Sequence, residues 1–468
     1  MSQSPILLTD EQIRAFITEG FLILKTDFSN TFHQSMTDEL KRVYEEEGNP
    51  GNNLLPRIRE IQQVFDHPVI TGALTSVLGP DYMLHAHRHG HYNAQPVAGG
   101  WHKDSYWGYS RMRNHHPWWA MIMYFPQATP LELGPTGVMP GTQNYEERNF
   151  ISDDAPGEAY ASGEAGTFAL IHYDIWHRST PNVLGNPRYM LKFEFMRTTA
   201  PSKPSWDNQA PAWIEPTTTL SLPIARHETL WEESWNWLSG SVGSIANTAE
   251  SNEEKLKELS IALEADFEPH ALNAAYELAR YGMPGVEVLL AALHHHRTDV
   301  SRLSAYGLSV AGSDAVAGLI EALTDEREET VKHAVFALGE LRGLADSALP
   351  ALIRLLSDSS AAVRREICEA LGIMASTRQE AVDGLIRCLQ DEDTQVRFTA
   401  GLSLSRVGPS AVAAVPALAA ALDDENRYVR AHALEALRYI GTEEAKDILI
   451  KALFNARWCT TTTPSNTF

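Results

Sequence analysis

The pattern of apolar and polar residues divides the chain into two parts with different periods. Before about residue 240, short apolar runs alternate with stretches rich in Gly, Pro and aromatic residues. Three of these runs, 119–125, 167–175 and 189–196, have the length of strands. After about residue 256, Ala, Leu and Glu recur at helical spacing. The pattern therefore predicts a strand-rich N-terminal domain followed by an all-α C-terminal domain.

Within the N-terminal domain, only the beginning of the chain has a helical pattern. Thr9 and Gln12 have the spacing of a capping box. Ile13, Phe16 and Ile17 then fall on one face of a helix. We therefore predict a capped helix that begins close to residue 10.

The C-terminal half repeats itself with a fixed period. A Val followed by Lys or Arg opens each of four Ala-rich segments, and an Asp recurs every 33 residues ahead of them: Val331, Val363, Val396 and Val429, with Asp325, Asp358, Asp391 and Asp424. The period indicates stacked helix pairs, because one pair cannot bury its own apolar face. We expect each Asp to accept backbone N–H groups in the turn into the next helix. We expect Asp358, Arg364 and their equivalents to form a structural ladder.

These repeats resemble HEAT-like repeats, including the short type found in phycobilisome lyases. We place the HEAT-like α-solenoid at residues 259–455, after a small, polar linker at 241–258 and before a tail at 456–468. The first domain then covers residues 1–240. The concave surface of such a solenoid is expected to bind a protein partner.

Composition narrows the range of partners and compartments. The formal net charge of −22 argues against nucleic acid, because a phosphate backbone is bound by clustered Lys and Arg. Since no stretch approaches 18 consecutive apolar residues and the first residues lack a secretory pattern, we expect no membrane span and no signal peptide. The spacings of Cys368, Cys388 and Cys459 suit neither a zinc knuckle nor a disulfide framework, so we expect a cytoplasmic protein.

A candidate metal site lies in the N-terminal half. On a strand, His102 and Asp104 would point to the same face, and His177 ends a later apolar run. Two imidazoles and one carboxylate on one face of an iron(II) ion leave three positions for a bidentate 2-oxo acid and dioxygen. Because the chain has 18 His, this spacing alone is weakly specific, and the three residues could instead be satisfied polar groups of the core or surface.

Ordered motifs around these three residues resemble the phytanoyl-CoA dioxygenase family. The family pattern is His-x-Asp, a Pro-Gly-Ser/Thr-His turn, and then His-x-Ser-x-x-Asn followed by Arg. Residues 8–24 and 231–240 resemble the two ends of that family. Between them, the chain supplies the motifs in the same order: His102-Lys103-Asp104, Pro140-Gly141-Thr142, His177-Arg178-Ser179-Thr180-Pro181-Asn182 and Arg188. The chain departs from the pattern at Gln143, where His is usual, and at Thr167, where Asp is usual.

The resemblance implies a double-stranded β-helix (a jelly roll, cupin-like) with flanking helices, and an iron(II) ion held by His102, Asp104 and His177. It also implies that Arg188 binds the distal carboxylate of 2-oxoglutarate, as a guanidinium can with two parallel hydrogen bonds, and that Ser179 supports that carboxylate. The implied activity is that of an Fe(II)/2-oxoglutarate-dependent dioxygenase that hydroxylates a C–H bond of a small metabolite. Dioxygen is the second co-substrate, and ascorbate is a possible addition.

Several further residues have more than one interpretation. His85, His87, His89 and His91 alternate, so they could line the substrate cavity or, less readily, form a second metal site. Trp101, Tyr106 and Trp107 could wall the pocket or pack in the core, and Arg188 and Ser179 could be ordinary polar residues. Asp174 is expected to share the strand of His177 and face the other way. Lys103 is expected to point away from the metal.

Two other functions remain open. In the first, the jelly roll is catalytically idle and the whole chain is a scaffold that binds partners through its repeats. In the second, which draws on the lyase-like repeats, the protein presents a tetrapyrrole or a protein substrate.

Overall fold

A computed structural model describes residues 4–104, 112–150, 157–216 and 225–454 of the chain. The described residues form two compact units, one of residues 4–104 with 113–216 and the other of residue 112 with 225–454. Tyr106, Trp107, Cys459 and the predicted tail at 456–468 lie outside the described residues. The domain limits drawn from the sequence remain predictions.

The first unit contains two antiparallel sheets. The strands are β1 (Phe21–Lys25), β2 (Met83–Asn93), β3 (Trp119–Tyr124), β4 (Thr136–Val138), β5 (Ala159–Tyr160), β6 (Thr167–His172), β7 (His177–Ser179) and β8 (Arg188–Met196). Five of them form a sheet in the order β1-β6-β3-β8-β2, and three form a second sheet in the order β5-β4-β7. The three apolar runs thus correspond to β3, β6 and β8. The second run ends at His172, so the prediction that Asp174 lies on the strand of His177 is wrong: Asp174 lies in the turn between β6 and β7.

Four helices accompany these sheets: α1 (Asp10–Glu19), α2 (Asn30–Glu47), α3 (Glu60–Phe65) and α4 (Pro68–Leu78). The predicted capping box of α1 is confirmed, since Thr9 accepts from the Gln12 backbone and the Gln12 side chain accepts from Thr9. The expectation that only the beginning of this domain has a helical pattern is wrong, because α2, α3 and α4 follow it. The 18-residue α2 buries only four side chains, His33, Met36, Leu40 and Val43, and this narrow stripe is diluted by polar neighbours along the sequence.

Strand β8 determines which side chains face the candidate site. All nine of its residues are buried, although successive side chains point to opposite faces. One face carries aromatic rings that pack on α3, with the ring centroids of Phe65 and Phe193 4.2 Å apart. The other face carries Arg188, Lys192 and Glu194. Burying three ionisable groups on one strand is unfavourable unless each has a partner, so this face indicates a polar site.

The second unit is a helical array. Its helices are α5 (Glu228–Leu238), α6 (Glu253–Leu263), α7 (Glu268–Ala279), α8 (Met283–Leu293), α9 (Thr298–Leu308), α10 (Val316–Ala322), α11 (Glu328–Leu341), α12 (Leu349–Leu355), α13 (Ala361–Ile373), α14 (Gln379–Cys388), α15 (Thr394–Val407), α16 (Val415–Ala421), α17 (Arg427–Ile440) and α18 (Glu443–Leu453). Helix α6 begins inside the segment predicted as a linker. Helix α5, placed in the first domain from the sequence, falls in this second unit.

The predicted ladder connects successive repeats. Arg364 Nε lies 2.7 Å from Asp391 Oδ2, and Arg397 Nε lies 2.8 Å from Asp424 Oδ2. Each repeated Asp also accepts the backbone N–H of the residue two positions on, as Asp358 does from Ser360. The Asp residues therefore cap the turns, and the helix N-caps themselves lie two residues later.

One helical stretch among the described residues, Thr394–Ala421, is long and apolar enough to cross a membrane by length and composition. It consists of α15, a 3-10 segment with a non-helical residue at Ala411, and α16. Its α15 portion packs between α13 and α17, which is the position of a core helix in a repeat array. The expectation of no membrane span stays a prediction.

Candidate metal centre

The first unit brings His102, Asp104 and His177 together. One ligand atom from each residue lies within 4.8 Å of the other two, and His177 Nε2 is 3.3 Å from Asp104 Oδ2. The two histidines are neighbours because their backbones exchange two hydrogen bonds, each of 3.0 Å, in an isolated antiparallel bridge. Opposed residues of such a bridge present their side chains on one face, and the two ring centroids are 4.4 Å apart.

Both imidazoles are held with one nitrogen turned away from this cluster. His102 Nδ1 lies 2.9 Å from the carbonyl oxygen of Gly100, and His177 Nδ1 lies 3.0 Å from that of Ile175. Because a carbonyl only accepts, each Nδ1 must carry the proton and donate, so that Nε2 is the nitrogen with the lone pair in the neutral form of each ring. Burial lowers the pKa of His177 to about 4, so its ring is neutral near pH 7 and can act as a metal ligand.

The two carboxylate oxygens of Asp104 have different surroundings. Oδ1 accepts a hydrogen bond from the Lys192 ammonium, whereas Oδ2 is buried and has no hydrogen-bond partner among the described residues. Burial acts to raise the pKa of Asp104, but Lys192, His177 and His102 outweigh it and hold that pKa below its usual range. An ionised, unpartnered oxygen beside two imidazole lone pairs is a donor set that fits iron(II).

Arg188 and Ser179 lie on strands that also carry site residues. Arg188 is 2% exposed, its Nε donates to the carbonyl oxygen of Gly134 at 3.0 Å, and its buried Nη1 has no partner among the described residues. Burial lowers its pKa to about 10, so the guanidinium remains charged at neutral pH. Ser179 shares a face of β7 with His177. It packs so closely on Gly99 that a Cβ there would lie 2.6 Å from Ser179 Oγ.

The sequence analysis did not single out Lys192 or Glu194. Glu194 Oε2 lies 3.0 Å from His85 Nδ1, and Oε1 lies 3.8 Å from His87 Nε2. Burial, reinforced by Asp104, raises the pKa of Glu194 to about 7. A signal was present: Lys192 and Glu194 stand at even spacing from Arg188 in the otherwise apolar run RYMLKFEFM.

The alternating histidines lie on β2 beside this polar face. His85 is buried, and the centroids of the His89 and His91 rings are 5.2 Å apart. Burial, with Lys192 nearby, lowers the pKa of His91 to about 3. The described residues contain no second cluster of three metal-ligating side chains, so these histidines do not form one there.

Other residues considered from the sequence have structural contacts. Trp101 packs in a buried cluster with Met139, Phe150 and Trp176, and the Arg178 guanidinium lies 4.6 Å from its ring centroid. Asp174 Oδ1 pairs with Arg113 Nη1 at 2.8 Å, Lys103 Nζ lies 3.4 Å from the Thr142 carbonyl oxygen, and Gln143 Nε2 donates to the Ile17 carbonyl oxygen at 3.0 Å. Gln143, which departs from the family pattern, therefore links the turn after Pro140-Gly141-Thr142 to helix α1.

Comparison with known families gives two matches. Residues 19–190 match the family model of phytanoyl-CoA dioxygenase (PhyH). Residues 316–405 and 382–458 match the model of HEAT repeats. The predicted resemblance to these families, in this order along the chain, is confirmed. No match was found among curated proteins.

Solved structures show partial likenesses to this chain. SnoK, a non-heme alpha ketoglutarate dependent carbocyclase from nogalamycin biosynthesis, is 16% identical over 42% of this chain and 88% of its own, with a TM-score of 0.34. Apo HygX from Streptomyces hygroscopicus is 15% identical over 41% of this chain and 87% of its own, with a TM-score of 0.34. A designed armadillo repeat protein is 19% identical over 40% of this chain and 99% of its own, with a TM-score of 0.31.

Proposed function

We propose that this protein is an Fe(II)/2-oxoglutarate-dependent dioxygenase that hydroxylates a C–H bond of a small metabolite in the cytoplasm. The observation that carries the proposal is the convergence of His102, Asp104 and His177, in which Asp104 Oδ2 lies 3.3 Å from His177 Nε2 and has no hydrogen-bond partner among the described residues. The match of residues 19–190 to the PhyH family supports an oxygenase of this class. We further propose that the two sheets are the halves of a jelly roll.

In this proposal each residue of the site has one task. His102, Asp104 and His177 hold iron(II), which when bound supplies activation of dioxygen by electron transfer. Arg188, whose buried Nη1 has no hydrogen-bond partner in the part of the chain that the structure describes, binds the distal carboxylate of 2-oxoglutarate. Ser179, on the same face of β7 as His177, supports that carboxylate. The buried β3 residues Met121 and Met123, which pair with Glu194 and Lys192 and share their face of the sheet, exclude water from one side of the site.

The test is consumption of 2-oxoglutarate and release of succinate by the purified protein. We expect turnover only with added iron(II), and we expect His102→Ala and Asp104→Ala each to abolish it, because a facial triad lacking one ligand loses its metal. The matched control is His294→Ala, which removes a histidine from the repeats. Full activity in both triad variants would exclude this function. Once iron(II)-dependent turnover is observed, a screen of metabolites for stimulated succinate release would identify the substrate.

For the second unit we propose a protein-binding role, which the match to HEAT repeats supports. If the chain bound no iron(II) in an anaerobic titration, the catalytically idle scaffold would become the better assignment. In that case the repeats would carry the whole function.

A further inference from the structure

Lys192 is a buried ammonium in the middle of a strand, and its hydrogen bond goes to a proposed metal ligand. Its side chain is 5% exposed, and Nζ donates to Asp104 Oδ1. Taking a charged amine out of water costs several kcal/mol, so a buried lysine requires a specific partner. The partner here is the oxygen of Asp104 that does not face His177.

Each of the three proposed ligands has a hydrogen bond at a side-chain atom other than the one proposed to bind the metal. For His102 and His177 this contact is Nδ1–H to a backbone carbonyl oxygen two residues earlier. For Asp104 it is Oδ1, held by Lys192. Contacts of this kind orient metal ligands and fix the lone pair that the metal uses. Two of the three supports are main-chain atoms, and only Lys192 is a side chain.

Asp104 depends on this support more than the histidines do. The bridge between His102 and His177 fixes both of their backbones, whereas Asp104 lies outside any strand and makes no backbone hydrogen bond among the described residues. Lys192, in contrast, has a fixed position. It lies within β8, paired with Met123 of β3 on one side and His89 of β2 on the other.

We propose that Lys192 is the positioning residue of the metal centre: its ammonium holds Asp104 Oδ1, so that Asp104 presents only Oδ2 to the metal. The inference rests on the proposed function, because it takes Asp104 as a ligand. The inference adds one requirement for metal binding beyond the three ligands, which is a charged hydrogen-bond donor at position 192.

Anaerobic titration of the full-length protein with Co(II), a spectroscopic substitute for iron(II), tests the proposal. Lys192→Met keeps the length of the side chain and removes the donor. We expect Co(II) to bind about 10–100-fold more weakly, with an altered visible absorption spectrum, because Asp104 is no longer held. Lys192→Arg retains a charged donor to the carboxylate and should lose less Co(II) affinity than Lys192→Met.

A second buried cation separates positioning from a general effect on folding. Arg197 directly follows β8, is 2% exposed and donates to the Val77 carbonyl oxygen at 2.9 Å. Arg197→Met should lower the thermal midpoint and leave Co(II) affinity and spectrum unchanged. If Lys192→Met does not fold, Lys192→Gln, which removes the charge and keeps a neutral amide donor, tests the proposed requirement for a charged donor.

The outcomes distinguish this inference from the proposed function. If the original protein binds Co(II) and Lys192→Met binds it equally or more tightly with the same spectrum, the positioning role is wrong and the oxygenase assignment survives. If Arg197→Met reproduces the loss seen with Lys192→Met, the effect is one of folding and the inference is also wrong. If the original protein does not bind Co(II), the proposed function itself fails.

Discussion

At the scale of single residues, the candidate site is a set of buried charges on one face of β8, and each charge has a different environment. Arg188 is anchored through Nε to the Gly134 carbonyl oxygen, and its buried Nη1 has no hydrogen-bond partner within the described ranges. Lys192 is paired with Asp104, and Glu194 contacts His85. Arg188 is thus the member of this face whose buried donor lacks a partner among the described residues, which is the condition expected of a group that binds an anion.

Arg188→Lys tests this interpretation. A lysine retains the charge but loses the planar pair of donors and the Nε–H that contacts Gly134. We expect the concentration of 2-oxoglutarate needed for half-maximal succinate formation to rise about 10-fold or more, which corresponds to about 1.4 kcal/mol of lost binding. Co(II) affinity should not change, because Arg188 has no contact with the three proposed ligands. An unchanged requirement for 2-oxoglutarate would remove Arg188 from the site.

At the scale of secondary structure, what could be predicted depended on whether the signal was local. The capping box of α1 and the apolar run of β8 are local features, and both predictions are confirmed. Helix α2 was missed because only four of its side chains are buried. The contact between Lys192 and Asp104 spans 88 residues, and no pattern in one sequence reveals such a pairing. Residue spacing suggested the candidate triad and the resemblance to a family made it more specific, but neither indicated the contact between Lys192 and Asp104.

The repeats permit a matched comparison of two arginines. Arg397 Nη1 donates to the carbonyl oxygens of the residues six and five positions earlier, and Arg430 Nη1 does the same. Arg397 also pairs with Asp424. Arg430 has no carboxylate at salt-bridge distance among the described residues, and the position corresponding to Asp424 one repeat later is occupied by Arg457.

We therefore expect Arg397→Leu to destabilise the repeats more than Arg430→Leu. The Arg397–Asp424 pair is largely buried, so its loss should cost about 1–3 kcal/mol, whereas the exposed Arg430 should contribute less than about 1 kcal/mol. Urea unfolding of the full-length protein, followed by far-ultraviolet circular dichroism, measures both. Equal losses in the two variants would mean that the backbone contacts, and not the ion pair, stabilise the ladder.

At the scale of the whole molecule, the chain combines two units with different physical organisation. In the first, hydrogen bonds between strands distant in sequence converge on a site of buried charges. In the second, the helices pack mainly on helices one or two positions away along the chain, as α15 does on α13 and α17, so the stability of this unit is approximately a sum over neighbouring repeats. A ligand bound to the triad should therefore stabilise the first unit and not the second.

Calorimetry of the full-length protein in the absence of oxygen can detect this difference. We expect two thermal transitions, because the described residues form two compact units. Co(II) at 100 times its Kd should stabilise the first unit by about 2.7 kcal/mol, which raises the midpoint of that transition by about 5–10 °C and leaves the other midpoint unchanged. His102→Ala should abolish the shift caused by Co(II). Arg397→Leu should lower the midpoint of the second unit and leave the Co(II)-induced shift of the first unit unchanged. A single transition, or an equal shift of both transitions, would contradict the expectation that the two units unfold separately. The ligand set would then be tested only by the activity of the triad variants.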